Sequence, residues 1–215
     1  MTPTRPGAHP WRLTRPRLAI LAIFSAGMLL AGALALLGSF AGSPAFRGTA
    51  VVPREPAPEI ALVDHDRQLF RLSALRGSPA VLFFGYTSCP DVCPTTLATM
   101  VRAARLLGED ARRLRFLMVT VDPRIDTPER LKAYLAGFDP SFVGLTGSGD
   151  DIGRIVAAYG ASVKEGFGNE TASSGSLRHS AVLYLIDRSG RLAVVFGYGV
   201  AADDLAADAR RLLRE

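Results

Sequence analysis

The chain predicts a mixed α/β domain carried behind a membrane segment, and three observations carry that reading. No charged side chain falls between Leu18 and Phe46. Two continuous apolar runs, Pro79–Gly85 and Leu114–Val121, suit strands covered on both faces, with apolar positions at helical spacing between them. Near the C-terminus two β-rich runs flank the turn Asp187-Arg188-Ser189-Gly190, and an amphipathic helix follows.

Residues 1–17 are a basic tail holding Arg5, Arg12, Arg15 and Arg17 and no acid. As a helix, residues 18–42 extend about 38 Å at about 1.5 Å per residue, more than the roughly 30 Å of bilayer hydrocarbon. A cleaved secretory signal is the alternative, and Ala41, Gly42, Ser43 and Ala45 supply its small residues. Its apolar region usually runs only about 7 to 15 residues, so the retained anchor is the stronger reading. The arginines keep the N-terminus on the cytoplasmic or matrix side, and everything after Gly42 is exported. Residues 1–47 hold five arginines and no acids, which accounts for the whole formal net charge of +5. The basic balance is therefore a topology signal, and no nucleic-acid partner is expected.

Residues 43–57, rich in Pro and Gly, read as a stiff linker, and residues 58–215 as the folded domain. Ile60–Val63 and Gln68–Leu72 flank Asp64-His65-Asp66-Arg67 as a short hairpin. Between the two apolar runs, Pro94–Leu107 places Leu97, Met100, Val101, Ala104 and Leu107 on one helical face, giving a right-handed strand–helix–strand unit. Thr127 and Pro128 open a second helix as N-cap and first residue, running to Phe138. Phe142–Thr146 is a short strand, and Asp150–Tyr159 a third helix stopped by Gly160. Glu165–Arg178 has no period and reads as a mobile loop. Ala181–Ile186 and Leu192–Phe196 form the terminal hairpin, and Ala202–Leu213 a helix with Leu205, Ala209 and Leu212 inward. This order describes a thioredoxin-like α/β domain.

Phe84–Thr96, FGYTSCPDVCPTT, holds the only two cysteines, Cys89 and Cys93. A domain this large needs no staple, so the pair calls for a chemical reason. On a helix, positions four apart lie about 6 Å along the axis and about 40° round it, which allows a disulfide or joint ligation of one ion. Each cysteine precedes a proline, which disfavours helical angles; Cys93 therefore reads as the N-cap, with Pro94 first in the helix and Cys89 on the loop before it. A thiol at a helix N-terminus is stabilised as thiolate, favouring both metal ligation and redox attack, and the charge of Asp91 opposes this. Three residues between the cysteines, where thioredoxin-type motifs have two, leave room to close on an ion. Soft thiolates in an exported protein suit Cu(I) or Zn²⁺, and a third ligand is then needed.

His9 precedes the membrane segment and His65 sits in a turn, which leaves His179 at a strand entrance as the candidate imidazole, though a lone histidine is more often structural. Asp122 and Asp126 follow the second core strand, at the sheet edge where α/β sites gather; each reads as a turn or pre-cap residue or as a support to the site. Met100 and Met118 read as core, and Arg210–Arg214 as a solvated helix face. The Asn169-Glu170-Thr171 sequon is a triplet that arises often by chance. A peroxidase of related fold is disfavoured, because it calls for a peroxide-polarising Arg beside a Thr-x-x-Cys turn, which this chain does not clearly supply.

Three blocks, FGYTSCPDVCPTTL, VTVDPRIDTPERL and RHSAVLYLID, in this order from Pro58 onward, closely resemble the Sco/SenC family of membrane-anchored copper chaperones for cytochrome c oxidase assembly. The resemblance implies a thioredoxin-like fold and copper, Cu(I) or Cu(II), held by Cys89, Cys93 and His179. It implies delivery to the CuA centre of cytochrome c oxidase subunit II, reduction of that subunit's cysteines by the Cys89–Cys93 redox pair, or both. A thiol reductant or another copper carrier is then a further partner. The setting it implies is the inner membrane, single-pass, with the C-terminal domain periplasmic, or on the intermembrane-space side in a mitochondrion. A metallochaperone is expected rather than an enzyme, with a thiol-disulfide oxidoreductase as the competing reading. Many members carry His where this chain has Ser88, a minor departure since ligation does not rest there.

Overall fold

The computed structural model describes residues 27–28, 45–161 and 182–215, and 163–165 and 177–179 as backbone. The basic tail and the expected anchor lie outside the described residues, except Gly27 and Met28, which are helical. Among the described residues no helix is long and apolar enough to cross a membrane. Phe46–Glu215 forms one compact unit.

The two apolar runs form the sheet centre. β4 (Ala80–Gly85) and β5 (Arg115–Thr120) pair in parallel, from Ala80↔Arg115 to Gly85↔Thr120, and every residue of β4 is buried. Around them stand β1 (Thr49–Ala50), β2 (Ala61–Asp64), β3 (Leu69–Arg71), β6 (Val143–Thr146), β9 (Leu183–Ile186) and β10 (Leu192–Phe196). The eight-stranded order is β1-β10-β9-β4-β5-β6-β2-β3. β6 continues the parallel set beside β5, and the other pairings are antiparallel.

Four helices follow: α1 (Val92–Leu107), α2 (Pro128–Ala136), α3 (Gly149–Ala158) and α4 (Ala202–Arg214). Alternate side chains of β4 point to opposite faces. Val81 and Phe83 join the core of Leu97 and Met100 from α1, Leu131 and Leu135 from α2, and Leu205, Ala209 and Leu212 from α4. Leu82 and Phe84 join Ile152, Ile155 and Val156 of α3 on the other face. Met100 and Met118 are buried core residues, as expected. Thr127 caps α2 by accepting the Arg130 amide at 3.3 Å, with Pro128 following as expected. Gly108 stops α1 at φ 63, a left-handed angle, and its N–H closes on the Ala104 and Arg105 carbonyls.

In two places the structure differs from the sequence reading. The segment expected as a stiff linker lies against the domain from Phe46 onward. β1 extends the sheet beside β10, the Leu192 amide donates to the Glu55 carbonyl, and Ala57 donates to Gly190. Buried Asp208 of α4 accepts the Arg47 and Gly48 amides, all at 2.9 Å, so backbone donors in a Pro/Gly-rich stretch are satisfied by a distant carboxylate that local composition does not reveal. The second difference flanks the expected loop: β7 (Val163–Glu165) and β8 (Leu177–His179) pair antiparallel as a separate ribbon, with Val163 opposite His179. Residues 166–176 lie outside the described residues.

Asp208→Ala leaves those amides without an acceptor and is expected to lower stability by about 2 kcal/mol. Chemical denaturation reads the loss, and limited proteolysis should show residues 46–57 cut first; an unshifted unfolding midpoint would mean that the strap is held by its strand pairing alone.

Candidate metal centre

β4 ends at Gly85, and the chain must then turn into α1 within a few residues. A Cβ on Gly85 would lie 2.5 Å from the Phe83 ring and 3.2 Å from the Cys93 sulfur, so only glycine lets that thiol pack against the strand end. The Cys89 amide donates to the Tyr86 carbonyl at 3.3 Å, closing the turn. Asp91, not Cys93, holds the N-cap position, and Cys93 and Pro94 are the second and third helical residues. Proline costs nothing there, because the first four helical amides lack intrahelical partners anyway. Cys89 sulfur takes over part of the capping, accepting the Cys93 amide at 3.4 Å.

Both cysteines are free thiols; Cys93 is fully buried and Cys89 half-buried. Burial pushes the Cys89 thiol up, but the Cys93 amide and thiol, the Asp91 amide and the Tyr86 hydroxyl all hydrogen bond to its sulfur and carry it below the ordinary thiol value. Asp91 thus stabilises the thiolate through its backbone, where the sequence reading considered only its opposing charge. Burial drives the Cys93 thiol far up, against a hydrogen bond from the Tyr86 amide, and the neighbouring Cys89 adds to the rise. Burial, then the charge and hydrogen bond of Cys89, push the Tyr86 hydroxyl up to about 12, so it remains a donor. The pair is one thiol whose ionised form is favoured and one buried thiol that donates to it.

A carboxylate fixes this loop from behind. Asp126, 1% exposed, accepts the Thr87 amide at 3.0 Å, the Thr87 hydroxyl at 2.5 Å and the Thr120 hydroxyl at 2.6 Å. Arg130 Nε donates to Thr87 Oγ1 at 2.6 Å and stands 3.7 Å from Asp126, and Arg130 Nη2 reaches Ser88 Oγ at 3.2 Å. Asp126 therefore acts on the thiols through Thr87 and Ser88. The Asp122 amide donates to Thr120 Oγ1 at 3.0 Å, while its Oδ1 is buried with no hydrogen-bond partner among the described residues and lies 3.6 Å from Arg124 Nε. The Tyr134 hydroxyl is also buried without a partner, close enough to both cysteines for their charge to raise it further once burial has pushed it up. Sequence reasoning missed Thr87, Thr120, Tyr86, Tyr134 and Arg130; only Arg130, in the first turn of α2 four residues after Asp126, carried a local signal.

The side chain of His179 lies outside what is described, and topology bounds its place. Four residue steps join His179 to Leu183, at most about 14 Å. Leu183 pairs with Phe83, two residues before Gly85, so β8 leads into the sheet beside the cysteine edge. His65 is not a solvated turn residue: its Nδ1 accepts the Gly144 amide at 3.0 Å, fixing it to β6 as a structural imidazole. His9 lies outside the described residues, and among those residues no three His, Cys, Asp or Glu side chains converge as a metal site. Two soft sulfurs that share a hydrogen bond, one half-buried and one fully buried, have the chemistry to hold a thiophilic ion.

Iodoacetamide at neutral pH should label Cys89 and spare Cys93, with the Cys89 midpoint below that of a free thiol and raised in Tyr86→Phe. Asp126→Ala, which releases the loop at a cost of about 3 kcal/mol, should make Cys93 reactive as well. Equal labelling of both thiols in the wild type, followed by mass spectrometry of the peptide, would contradict the assigned asymmetry.

A family model described as SCO1/SenC matches residues 54–214. A protein of Stutzerimonas stutzeri is 40% identical over 144 residues, 66% of this chain and 70% of its own length. The copper-bound structure of Bradyrhizobium japonicum ScoI shares 34% identity at a TM-score of 0.66, covering 74% of this chain and 99% of that one. BsSco, described as a member of the Sco family of cytochrome c oxidase assembly proteins with a disulfide switch, overlays at a TM-score of 0.63 and 21% identity, over 80% of this chain and 99% of its own, which shows the common fold. With the thioredoxin-like sheet, the thiol pair at the start of α1 and a family match running through nearly the whole folded unit, this chain belongs to the SCO1/SenC family.

Proposed function

We propose that the protein is a membrane-anchored copper chaperone that holds the ion between the sulfurs of Cys89 and Cys93 and the imidazole of His179, and passes it to the CuA site of cytochrome c oxidase subunit II. The observation that carries this reading is the sulfur pair itself: a half-buried thiol whose thiolate form is favoured, hydrogen-bonded to a buried thiol at one helix N-terminus. The copper-bound relative and the family's link to oxidase assembly support the choice of ion and recipient. The uncharged segment 18–42 behind four arginines supports an inner-membrane anchor with the domain on the exported side.

Capture begins at Cys89, the more exposed sulfur and the one whose thiolate the surrounding donors favour. Closure of Cys93 on the ion expels the Cys93 proton, because only the thiolate ligates. His179, arriving on β8, completes the site. Delivery is the reverse exchange, with recipient thiolates and imidazoles replacing these ligands one at a time.

A second reading shares the same sulfurs. The Cys89 thiolate attacks a substrate disulfide and releases one substrate thiolate; the Cys93 thiol then attacks the Cys89 sulfur, forming the Cys89–Cys93 disulfide and releasing the second thiol. An external dithiol must re-reduce the pair. An exposed low-pKa sulfur beside a buried one is the layout such exchange needs.

Competitive Cu(I) titration separates the two. The chaperone is expected to bind one ion, with an affinity that climbs with pH by about one logarithmic unit or more per pH unit, since the Cys93 pKa is raised and its proton must leave. His179→Ala should weaken binding by more than the about 10–100-fold that partners of metal ligands command. Affinity that is flat with pH, or unchanged without His179, would remove the three-ligand model and leave the reductase.

A further inference from the structure

At the opposite end of α1 from the thiols, the ends of α1 and α4 meet the turn 108–113. Arg210 Nη2 donates to the Leu106 carbonyl at 2.7 Å, and Arg113 Nη2 to the Leu213 carbonyl at 3.2 Å. Arg105, Arg112 and Arg113 at the end of α1 and in its following turn, with Arg210 and Arg214 in the last turns of α4, supply basic residues to these chain ends, and Leu106 is 47% exposed. Glu109 pairs with Arg112 and Asp110 with Arg113, whereas Arg105, Arg210 and Arg214 have no carboxylate partner among the described residues. Residues 48–215 are neutral as a whole, so this positive pole is segregation of charge rather than general basicity. Basic residues in a last turn answer helix dipoles. Dipoles do not account for the exposed leucine at the centre, nor for a second, independent fact.

That fact is where the chain enters the fold. The Phe46 ring lies 4.2 Å under the guanidinium of Arg211, between Arg210 and Leu212 on α4. Only residues 43–45 separate Phe46 from the expected end of the anchor at Gly42, so the tether reaches at most about 14 Å. On the anchor reading, the chain therefore enters the folded unit at Phe46 within that reach of the bilayer.

We infer that this pole is a docking surface for anionic phospholipid headgroups, with the arginines on phosphates and Leu106 dipping into the interface. Arginine suits bidentate phosphate contacts, and basic clusters beside a membrane segment are attracted to anionic lipid. The thiol loop lies a helix length away, about 24 Å for the 16 residues of α1. The inference rests on the anchor reading proposed above.

The full chain is reconstituted into nanodiscs of phosphatidylcholine alone or with phosphatidylglycerol added, and amide hydrogen exchange is followed. Severalfold slower exchange over residues 104–114 and the last turns of α4 is expected only with phosphatidylglycerol. The protection should vanish in Arg105→Gln/Arg214→Gln, and, with no variant at all, when salt shortens the Debye length to about 3 Å. Identical exchange in the two discs, or protection at residues 86–95 instead, would overturn the docking surface while leaving the anchor intact. A chain that does not stay with the discs would overturn both.

Discussion

Thr87 and Thr120 both donate to the carboxylate of Asp126, a charge almost wholly withdrawn from water, and through it the end of β4 is tied to the end of β5 and the approach to α2. A charge so placed is tolerable only while its donors stay in position, so the loop that carries Cys89 has little freedom to drift. Arg130 extends the hold to Ser88, one residue before the sulfur. The parallel register of β4 and β5 makes the arrangement possible by bringing Gly85 level with Thr120.

With the loop fixed, two chemically identical side chains become different groups. Cys89 lies where helix amides and the Tyr86 hydroxyl converge, and its negative charge is stabilised. Cys93, one turn on, faces Gly85 and the core and keeps its proton. Neither state is written in the residue type. The same division of roles serves a soft metal ion, which needs one sulfur ready and one that yields its proton, and dithiol exchange, which needs one attacking and one resolving sulfur. This explains why a single scaffold supports both the chaperone and the reductase readings.

The fold also orients its ends. Helix N-termini gather at the thiol edge of the sheet, while the ends of α1 and α4, their arginines, and the entry of the chain at Phe46 share the far pole. The strap 46–57 is part of the domain, held by Asp208 and by β10. The thiol site and the arginine-bearing helix ends lie at opposite ends of α1 as a consequence of one helix direction.

Much was determined by the sequence itself, because it depends on local pattern. Continuous apolar runs gave the central strands, 3.6-residue spacing gave α1 and α4, Thr127-Pro128 gave the start of α2, and the three sequence blocks gave the family. The cysteine pair was legible as a chemical feature, yet which sulfur ionises was not, since that depends on amides and a hydroxyl brought to it by the turn after β4. Tertiary structure alone decided that Asp126 reaches Thr87 across 39 positions, that Asp208 holds the strap across 160 and 161, and that His65 is a structural residue of β6. Those interactions join groups distant in sequence, and no periodicity or spacing encodes a partner that only folding brings within hydrogen-bond reach.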